Sequence, residues 1–204
     1  MLSYQTVEPH TLELLRRLMS EPSLSGLRLV GGTSLALQYG HRNSVDLDFF
    51  GTLEEDKYAI RDCLKSIGNL NVLKETDTIR IYDLDGVKID FVDYSRYPWI
   101  DEVQTIDGLC LASPKDIAAM KINAIEGRGT RKDFVDVFYL LQHFTLSDIL
   151  CFYQQKYPEN SIFRALMSLT YFNDAEKQIM PKMFKHETWD EMKTAILKEV
   201  ENYK

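Results

Sequence analysis

Apolar and polar residues alternate along residues 45–50, and this alternation predicts a strand with one buried face. Strand side chains point to opposite faces in turn, so Asp46 and Asp48 are expected to project together from the polar face. The residues expected to point into the core are Val45, Leu47 and Phe49. The same alternation in residues 87–93 places Asp90 on the polar face of a second strand.

Similar patterns predict the remaining elements of the chain. Further strands are expected at residues 28–30, 70–75, 78–83, 102–106 and 109–112. Helices are expected at residues 9–20, 35–39, 55–68, 114–126 and 133–142. Everything after residue 146 is predicted to be helical, with breaks near Pro158, Asn173 and Pro181.

This order of elements predicts an α+β fold in which a mixed β-sheet is flanked by helices and followed by a C-terminal helical bundle. Residues 1–112 form the sheet-containing core in this prediction, and residues 113–204 form a helical part packed on it. The boundary falls before a strong helix start, because Ser113 can cap the helix and Pro114 suits its first position.

Composition narrows the class of protein. No uninterrupted apolar stretch is long enough to cross a membrane, and residues 1–5 do not resemble a secretion signal. The three cysteines are far apart, as expected of free thiols, so we predict a cytoplasmic protein. The net charge is −7, which argues against a general nucleic-acid coat protein.

The paired aspartates carry the clearest chemistry. Two adjacent carboxylates repel each other, and a divalent cation removes that repulsion because hard cations prefer carboxylate oxygens. We therefore predict that Asp46 and Asp48 bind metal, and Asp90 from a neighbouring strand would complete a two-metal site. The alternative is that all three are solvated aspartates on the polar faces of their strands.

Phosphate-binding candidates lie before and after these strands. Gly31-Gly32 allows close approach of a ligand, although most glycine pairs are only turns. Thr33 can cap the helix expected at residues 35–39, and a helix N-terminus favours phosphate. Other candidates are Ser34, Arg42, Ser44, Lys121 and a basic loop with Arg128, Arg131 and Lys132. Lys121 could equally be a solvated helix residue, and Arg42 and Ser44 could be ordinary loop residues.

Several of these segments together resemble a known family. Residues 31–36 and 41–50 resemble the AbiEii/AbiGii toxin-like nucleotidyltransferases, which belong to the DNA polymerase β-like nucleotidyltransferase superfamily. Residues 89–91, 112–117 and 131–136 are also similar, so the resemblance covers roughly residues 25–142. Thr33 stands where the broad superfamily has serine, and its distance from Asp46 is slightly longer than in the broad pattern.

The resemblance implies a role for each matching residue. Asp46 and Asp48 would hold the metals that bridge a nucleoside triphosphate, and Asp90 would hold the catalytic metal and help to activate the attacking hydroxyl. Gly32 and Thr33 would contact the terminal phosphates, with Ser34 as the alternative to Thr33. Apart from the resemblance, Arg42 and Ser44 could contact phosphate or the base, and Lys121 and Lys132 could contact phosphate. Asp136 would orient Lys121 or Lys132. The metal would be Mg²⁺, with two ions bound and Mn²⁺ as an alternative.

The resemblance also implies the activity. The protein would transfer NMP from an NTP to an acceptor hydroxyl, either at the 3′ end of tRNA or on a protein. It would be the toxin of a bacterial toxin–antitoxin or abortive-infection system for phage defence, with a cognate antitoxin protein as partner. The alternative is a non-catalytic nucleotide-binding or regulatory module on the same fold. An aspartyl-phosphate phosphatase fits less well, because Phe49-Phe50 continue an apolar strand where that chemistry needs an exposed aspartate.

Overall fold

The computed structural model describes residues 1–203, which form two compact units. The first unit comprises Met1–Gly40, Ser44–Tyr97 and Val103–Ala112. The second comprises His41–Asn43, Pro98–Glu102 and the chain from Ser113 onwards. Two short segments, 41–43 and 98–102, thus belong to the helical unit, although the sequence assigns them to the first part of the chain.

The first unit contains all seven described strands and three helices. The strands are β1 (Leu27–Leu29), β2 (Leu47–Gly51), β3 (Leu70–Glu75), β4 (Ile79–Leu84), β5 (Val87–Asp93), β6 (Gln104–Ile106) and β7 (Leu109–Leu111). The helices are α1 (Pro9–Met19), α2 (Gly31–Tyr39) and α3 (Lys57–Ile67). Apart from the start of β2 and of α2, these elements agree with the sequence prediction to within about two residues.

The strands form one mixed sheet in the order β3-β4-β5-β2-β1-β7-β6. β2 is parallel to β5, and β1 is parallel to β7. The other neighbouring pairs are antiparallel. This mixed sheet confirms the predicted α+β class.

One face of the sheet is buried against α1 and α3. Alternate residues of β2 and β5 point into this core together with apolar residues of both helices, and these include Leu47, Phe49, Ile89, Phe91, Leu15, Leu18, Ile60 and Leu64. The residues between them on the strands, Asp48, Phe50, Asp90 and Val92, are half-buried on the opposite face. The alternation read from the sequence therefore separates a core face from a face that carries carboxylates.

Two local predictions were wrong. β2 begins at Leu47 rather than at residue 45, so Asp46 precedes the strand and Val45 is 40% exposed instead of buried. The backbone at Ser44 does not join β2 but bonds to the N-terminal segment, where the Ser44 amide donates to the Thr6 carbonyl over 2.8 Å. α2 begins at Gly31, so Thr33 lies inside its first turn and does not cap it.

The second unit consists of helices α4 (Pro114–Gly127), α5 (Arg131–Leu141), α6 (Leu146–Lys156), α7 (Ile162–Leu169), α8 (Asn173–Glu176) and α9 (Trp189–Asn202). Ser113 caps α4, as the sequence predicts, and its hydroxyl accepts a hydrogen bond from the Asp116 amide. Asp116 and Lys156 are fully buried, and their charged groups pair over 2.8 Å between α4 and α6. The C-terminal helical part of the prediction is confirmed.

The sequence predicts a helix break near Pro181, and in the structure this break extends over the whole stretch between α8 and α9. Within it the Lys182 carbonyl accepts from the Asn43 amide, and the Phe184 amide donates to the His41 carbonyl, each over 2.9 Å. These bonds hold the backbone around Met183 in an antiparallel bridge with Arg42. An extended bridge satisfies backbone groups that a helix would have used internally.

No single helix within residues 1–203 is both long and apolar enough to cross a bilayer. α5 and α6 pass this test only as a pair, by length and composition, and they are bent by 118° at their junction.

Candidate functional site

Asp48 and Asp90 occupy paired positions on the neighbouring parallel strands β2 and β5. Paired residues of adjacent strands point to the same face, so the two carboxylates lie side by side on the half-buried face of the sheet. Asp46 is two residues before Asp48 and immediately before β2, and it is also half-buried. The fold therefore brings Asp48 and Asp90 together from positions that are far apart in the sequence.

Asp90 already has a cationic neighbour. The ammonium group of Lys88 lies 2.6 Å from Oδ1 and 2.7 Å from Oδ2 of Asp90. Lys88 is two residues before Asp90 on β5, so both side chains project from the same face of the strand. This pair partly neutralises the charge that the two neighbouring aspartates would otherwise concentrate there.

Gly31 is required where α2 approaches Asp48. Its φ is +64°, a backbone conformation that side chains other than hydrogen disfavour. A Cβ atom at this position would lie only 2.6 Å from Oδ2 of Asp48. Gly31 therefore lets the start of the helix come directly against the carboxylate, which a larger residue would displace.

Thr33 connects the first turn of α2 to the segment before β2. Its hydroxyl donates to the backbone carbonyl of Asp46 and lies 2.9 Å from the Ser44 hydroxyl. Thr33, Ser34 and Ser44 are all buried, and the Ser34 hydroxyl accepts from Gln38 Nε2 over 3.1 Å. These hydroxyls hold the helix start in place beside the aspartates.

The donor chemistry of this face fits a hard divalent cation, because Asp46, Asp48 and Asp90 offer only carboxylate oxygens. In residues 1–203, however, no three His, Cys, Asp or Glu side chains are arranged to hold a metal ion. Ion binding at Asp90 would require Lys88 to move away from its carboxylate. Asp46, Asp48 and Asp90 are the residues that would hold the ions.

A second group of predicted residues forms a buried ion cluster in the helical unit. Lys121 on α4 lies 2.9 Å from Asp133 Oδ1 and 2.6 Å from Asp136 Oδ2, both on α5. Arg42 binds Asp136 with two hydrogen bonds of 2.7 and 2.8 Å, and His41 Nε2 lies 2.8 Å from Asp136 Oδ1. Asp136 therefore occupies the centre of the cluster.

The electrostatics of the cluster stabilise its ionised form. Burial would raise the pKa of Asp136, but Arg42 and Lys121 outweigh burial and hold that pKa well below its usual range. Burial opposes ionisation of Asp133 as well, yet Lys121 and Arg128 keep its pKa low. Burial disfavours the charged form of Lys121, and the two aspartates overcome this and raise its pKa.

His41 is the neutral member of the cluster. Burial lowers its pKa, and this effect outweighs the hydrogen bond to Asp136, which favours the charged form. A neutral ring that donates through Nε2 to the carboxylate leaves Nδ1 as an acceptor, and Nδ1 is buried without a hydrogen-bond partner. Protonation would convert Nδ1 into an unpaired buried donor, which is consistent with the lowered pKa.

The remaining basic candidates have different surroundings. Arg128 donates to both carboxylate oxygens of Asp133 over 3.0 and 3.1 Å. Arg131 donates to the carbonyls of Ala175 and Glu176. Lys132, at the second position of α5, is exposed. Arg131 and Lys132 therefore lie on α5 and not in a loop as predicted, because Thr130 caps the helix before them. Arg128 and Arg131 hold parts of the helical unit together.

Sequence reasoning missed three contributors. The sequence indicates that the Gly31-Gly32 pair lets a ligand approach, but the contact of Gly31 with Asp48 depends on the pairing of strands. Asp133 was noted only as part of a motif, although a Thr-x-x-Asp sequence at 130–133 could have signalled the capping box that it forms. His41 gives no such signal, because its partner Asp136 is 95 residues away.

The fold is that of a nucleotidyltransferase. The structure is similar to JHP933 from Helicobacter pylori, with a TM-score of 0.58 and 19% identity, over 96% of this chain and 92% of that one. It is also similar to MenT4, a nucleotidyltransferase toxin from Mycobacterium tuberculosis H37Rv, with a TM-score of 0.59 and 12% identity, over 95% of this chain and 83% of that one.

The family follows from the sequence match. Residues 13–202 match the model of the nucleotidyl transferase AbiEii toxin family of type IV toxin–antitoxin systems, so the chain belongs to this family of nucleotidyltransferases. An uncharacterized protein of Aquifex aeolicus (strain VF5) is 31% identical over 197 residues, which cover 94% of each chain. Family membership implies an NTP substrate and a cognate antitoxin.

Proposed function

We propose that this protein transfers NMP from an NTP to an acceptor hydroxyl, with release of pyrophosphate, in a reaction that depends on divalent metal. We also propose that it acts as the toxin of its pair. The observation that carries the proposal is the pairing of Asp48 with Asp90 on β2 and β5 beside the start of α2. Neighbouring carboxylates next to a helix N-terminus suit a substrate that brings both phosphate and cations.

The three aspartates have distinct roles in this proposal. Asp46 and Asp48 bind the cations that accompany the triphosphate, and Asp90 lies nearest the acceptor and accepts the proton of the attacking hydroxyl at its carboxylate. Two Mg²⁺ ions (Mn²⁺ is the alternative) held by these residues would supply positive charge for the attacking and leaving oxygens of an in-line displacement. Lys88 keeps Asp90 charge-balanced before substrate arrives.

The start of α2 positions the terminal phosphates, and the basic residues of the helical unit are further candidates for phosphate binding. The amides at Gly32 and Thr33 in the first turn of α2 donate to the terminal phosphates, and Ser34 and Ser44 hold that turn in place. Lys132 is exposed and suits a phosphate of the nucleotide or the acceptor. Asp136 orients Lys121 as a fixed point charge, and Arg42 contributes positive charge to the same cluster.

A transfer assay tests the proposal. Purified protein is incubated with each labelled NTP, Mg²⁺ and either total RNA or protein extract, so the labelled product also distinguishes a tRNA 3′ end from a protein hydroxyl. We expect Asp48→Asn and Asp90→Asn to reduce transfer on the order of a hundredfold or more, because each removes a charge that stabilises the transition state. EDTA should abolish the transfer of label by the wild-type protein.

Asp62→Asn is the matched control, since Asp62 is an exposed aspartate on α3. It should transfer label at the wild-type rate. Full activity in Asp48→Asn would contradict the proposal. Nucleotide binding by the wild type with no transfer to any acceptor would instead favour the non-catalytic module.

A further inference from the structure

Three aromatic side chains lie beyond the aspartates on the same face of the sheet. Phe50 follows Asp48 by two residues on β2, and it is paired with Val92 on β5. The rings of Phe50 and Tyr94 are 5.2 Å apart between centroids, and those of Tyr94 and Tyr97 are 4.6 Å apart. We call Phe50, Tyr94 and Tyr97 the aromatic platform.

The turn after β5 builds the platform. The Tyr94 amide donates to the Gly51 carbonyl over 2.7 Å, which holds Tyr94 beside the end of β2. The Tyr97 amide then donates to the Tyr94 carbonyl over 3.1 Å and closes the turn that brings the two rings together. Tyr94 is buried beneath, whereas Tyr97 keeps 44% of its surface exposed. The outermost ring is therefore fixed from below and accessible to a ligand.

We propose that the aromatic platform stacks the base of the NTP substrate. The inference rests on the proposed function, because it takes the triphosphate to be bound at Asp48 and Asp90. Aromatic rings recognise nucleobases by stacking, and this recognition tolerates any base because every base has a π-face.

The order of groups along β2 matches the order of groups in an NTP. α2 begins next to Asp48, and the Val30 amide donates to the Asp48 carbonyl over 2.8 Å, so the phosphate-binding turn lies at the start of the strand. Phe50 lies two residues further on, about 7 Å along the strand. With the α-phosphate at Asp48 and the terminal phosphates at α2, the nucleoside extends away from α2 and towards the platform.

The platform also explains why apolar rings are retained on a face that otherwise carries charge. Asp48, Lys88 and Asp90 are polar, and the opposite face of the sheet supplies the core of this unit. An exposed tyrosine in tilted contact with a buried one adds little to that core. An apolar surface beside a phosphate-binding turn suits the apolar half of a nucleotide.

Binding measurements on three variants of Tyr97 test the proposal. Isothermal titration calorimetry is run with ATP, GTP, CTP and UTP, and with inorganic tripolyphosphate as a probe that has no base. Tyr97→Ala and Tyr97→Leu should weaken NTP binding about 5- to 100-fold, the range for loss of one stacking ring, and Tyr97→Phe should bind like the wild type. Tripolyphosphate binding should be the same in all of them.

Tyr58→Ala is the control, because Tyr58 is an exposed tyrosine on α3, which packs against the other face of the sheet. Unchanged NTP binding in Tyr97→Ala would overturn the proposal. An equal loss of tripolyphosphate binding would overturn it too, as would a change confined to the KM for the acceptor. Thermal melting of each variant tests whether it is folded. If the alanine variant is unstable, NTP binding by Tyr97→Leu is compared with NTP binding by Tyr97→Phe.

The two proposals fail differently. If NTP binding depends on Tyr97 but no acceptor receives label, the stacking proposal stands and catalysis fails. If Asp48→Asn abolishes transfer while Tyr97→Ala binds every NTP normally, catalysis stands and the stacking proposal fails.

Discussion

Arg42 and Asp136 form a buried, doubly hydrogen-bonded ion pair across 94 positions of sequence. Arg42 Nε donates to Oδ1 over 2.7 Å and its terminal Nη2 donates to Oδ2 over 2.8 Å. The same carboxylate also forms an ion pair with Lys121 and a hydrogen bond with His41. A side chain that the sequence proposes for phosphate binding is thus held by a protein carboxylate inside the helical unit.

Removing Asp136 should therefore destabilise the protein strongly. Asp136→Ala leaves the charges of Arg42 and Lys121 buried with fewer partners, so we expect a loss of about 3–5 kcal/mol in the free energy of unfolding, measured by urea denaturation. Asp62→Ala is the control, because Asp62 lies exposed and 3.8 Å from Lys65. It should leave the denaturation midpoint almost unchanged. A wild-type midpoint for Asp136→Ala would show that the cluster does not stabilise the fold.

The buried His41 predicts how stability depends on pH. Burial lowers its pKa in the folded state below the ordinary value of 6.5, so the unfolded chain binds the proton more readily. Stability is then fully present above about pH 6.5 and falls as the pH drops towards the folded-state pKa. His41→Gln cannot titrate, and urea midpoints between pH 5 and pH 7.5 should vary less with pH than in the wild type.

The exposed His186 supplies the comparison for that experiment. His186→Gln should keep the wild-type pH dependence, because it removes a surface imidazole that lies outside the buried ion cluster. Identical pH profiles for the wild type and His41→Gln would mean that His41 does not account for the loss of stability in this range.

Gly31 should matter for activity more than for folding. Gly31→Ala introduces a Cβ atom against Asp48 in a backbone conformation that alanine disfavours, and we expect loss of most transfer activity with a fall in stability of about 1–2 kcal/mol. Gly86→Ala is the matched control, since Gly86 has a φ of +83° and open space around the position of a Cβ atom. It should show a similar loss of stability with normal activity. Equal activity in both variants would argue against a role for the contact with Asp48.

Lys88 should compete with the metal for Asp90. Its ammonium group lies within 2.7 Å of both Asp90 oxygens, and a cation bound there must displace it. Lys88→Met is therefore expected to lower the Mg²⁺ concentration needed for half-maximal transfer by a few-fold. Lys74→Met, at an exposed position of the edge strand β3, should leave it unchanged. If Lys88→Met instead needs a higher Mg²⁺ concentration for half-maximal transfer, Lys88 would be assigned to substrate binding.

Much of the fold can be predicted from local pattern. Periodicity, helix caps and Asp-Gly turns depend on residues close together in the chain, and they gave β3, β5, α4 and the hairpins nearly to the residue. The prediction failed at Val45 and in the extent of the break around Pro181, and at both places long-range backbone hydrogen bonds hold the chain. Such bonds leave no periodic signal in the sequence.

The candidate site, too, could be predicted from the sequence only in part. Alternation placed Asp46, Asp48 and Asp90 on polar faces, and the glycine pair indicated a close approach of backbone to a ligand. The sequence could not show that the group approached by Gly31 is Asp48 itself, because that contact depends on how β1 and α2 are placed beside β2. The sequence pattern proposed Arg42 and Lys121 as phosphate ligands, but it did not indicate that the carboxylates of Asp136 and Asp133 bind them.

The sequence by itself determined the elements, the α+β class, the polar faces that carry the aspartates and the resemblance to the toxin family. Only the tertiary structure decided that Asp48 is the register partner of Asp90 and that Asp136 binds Arg42, Lys121 and His41. It also decided that the ring of Tyr97 contacts that of Tyr94 beside Phe50. The physical reason is that charge pairing and ring stacking act over a few ångströms in space, whatever the separation along the chain.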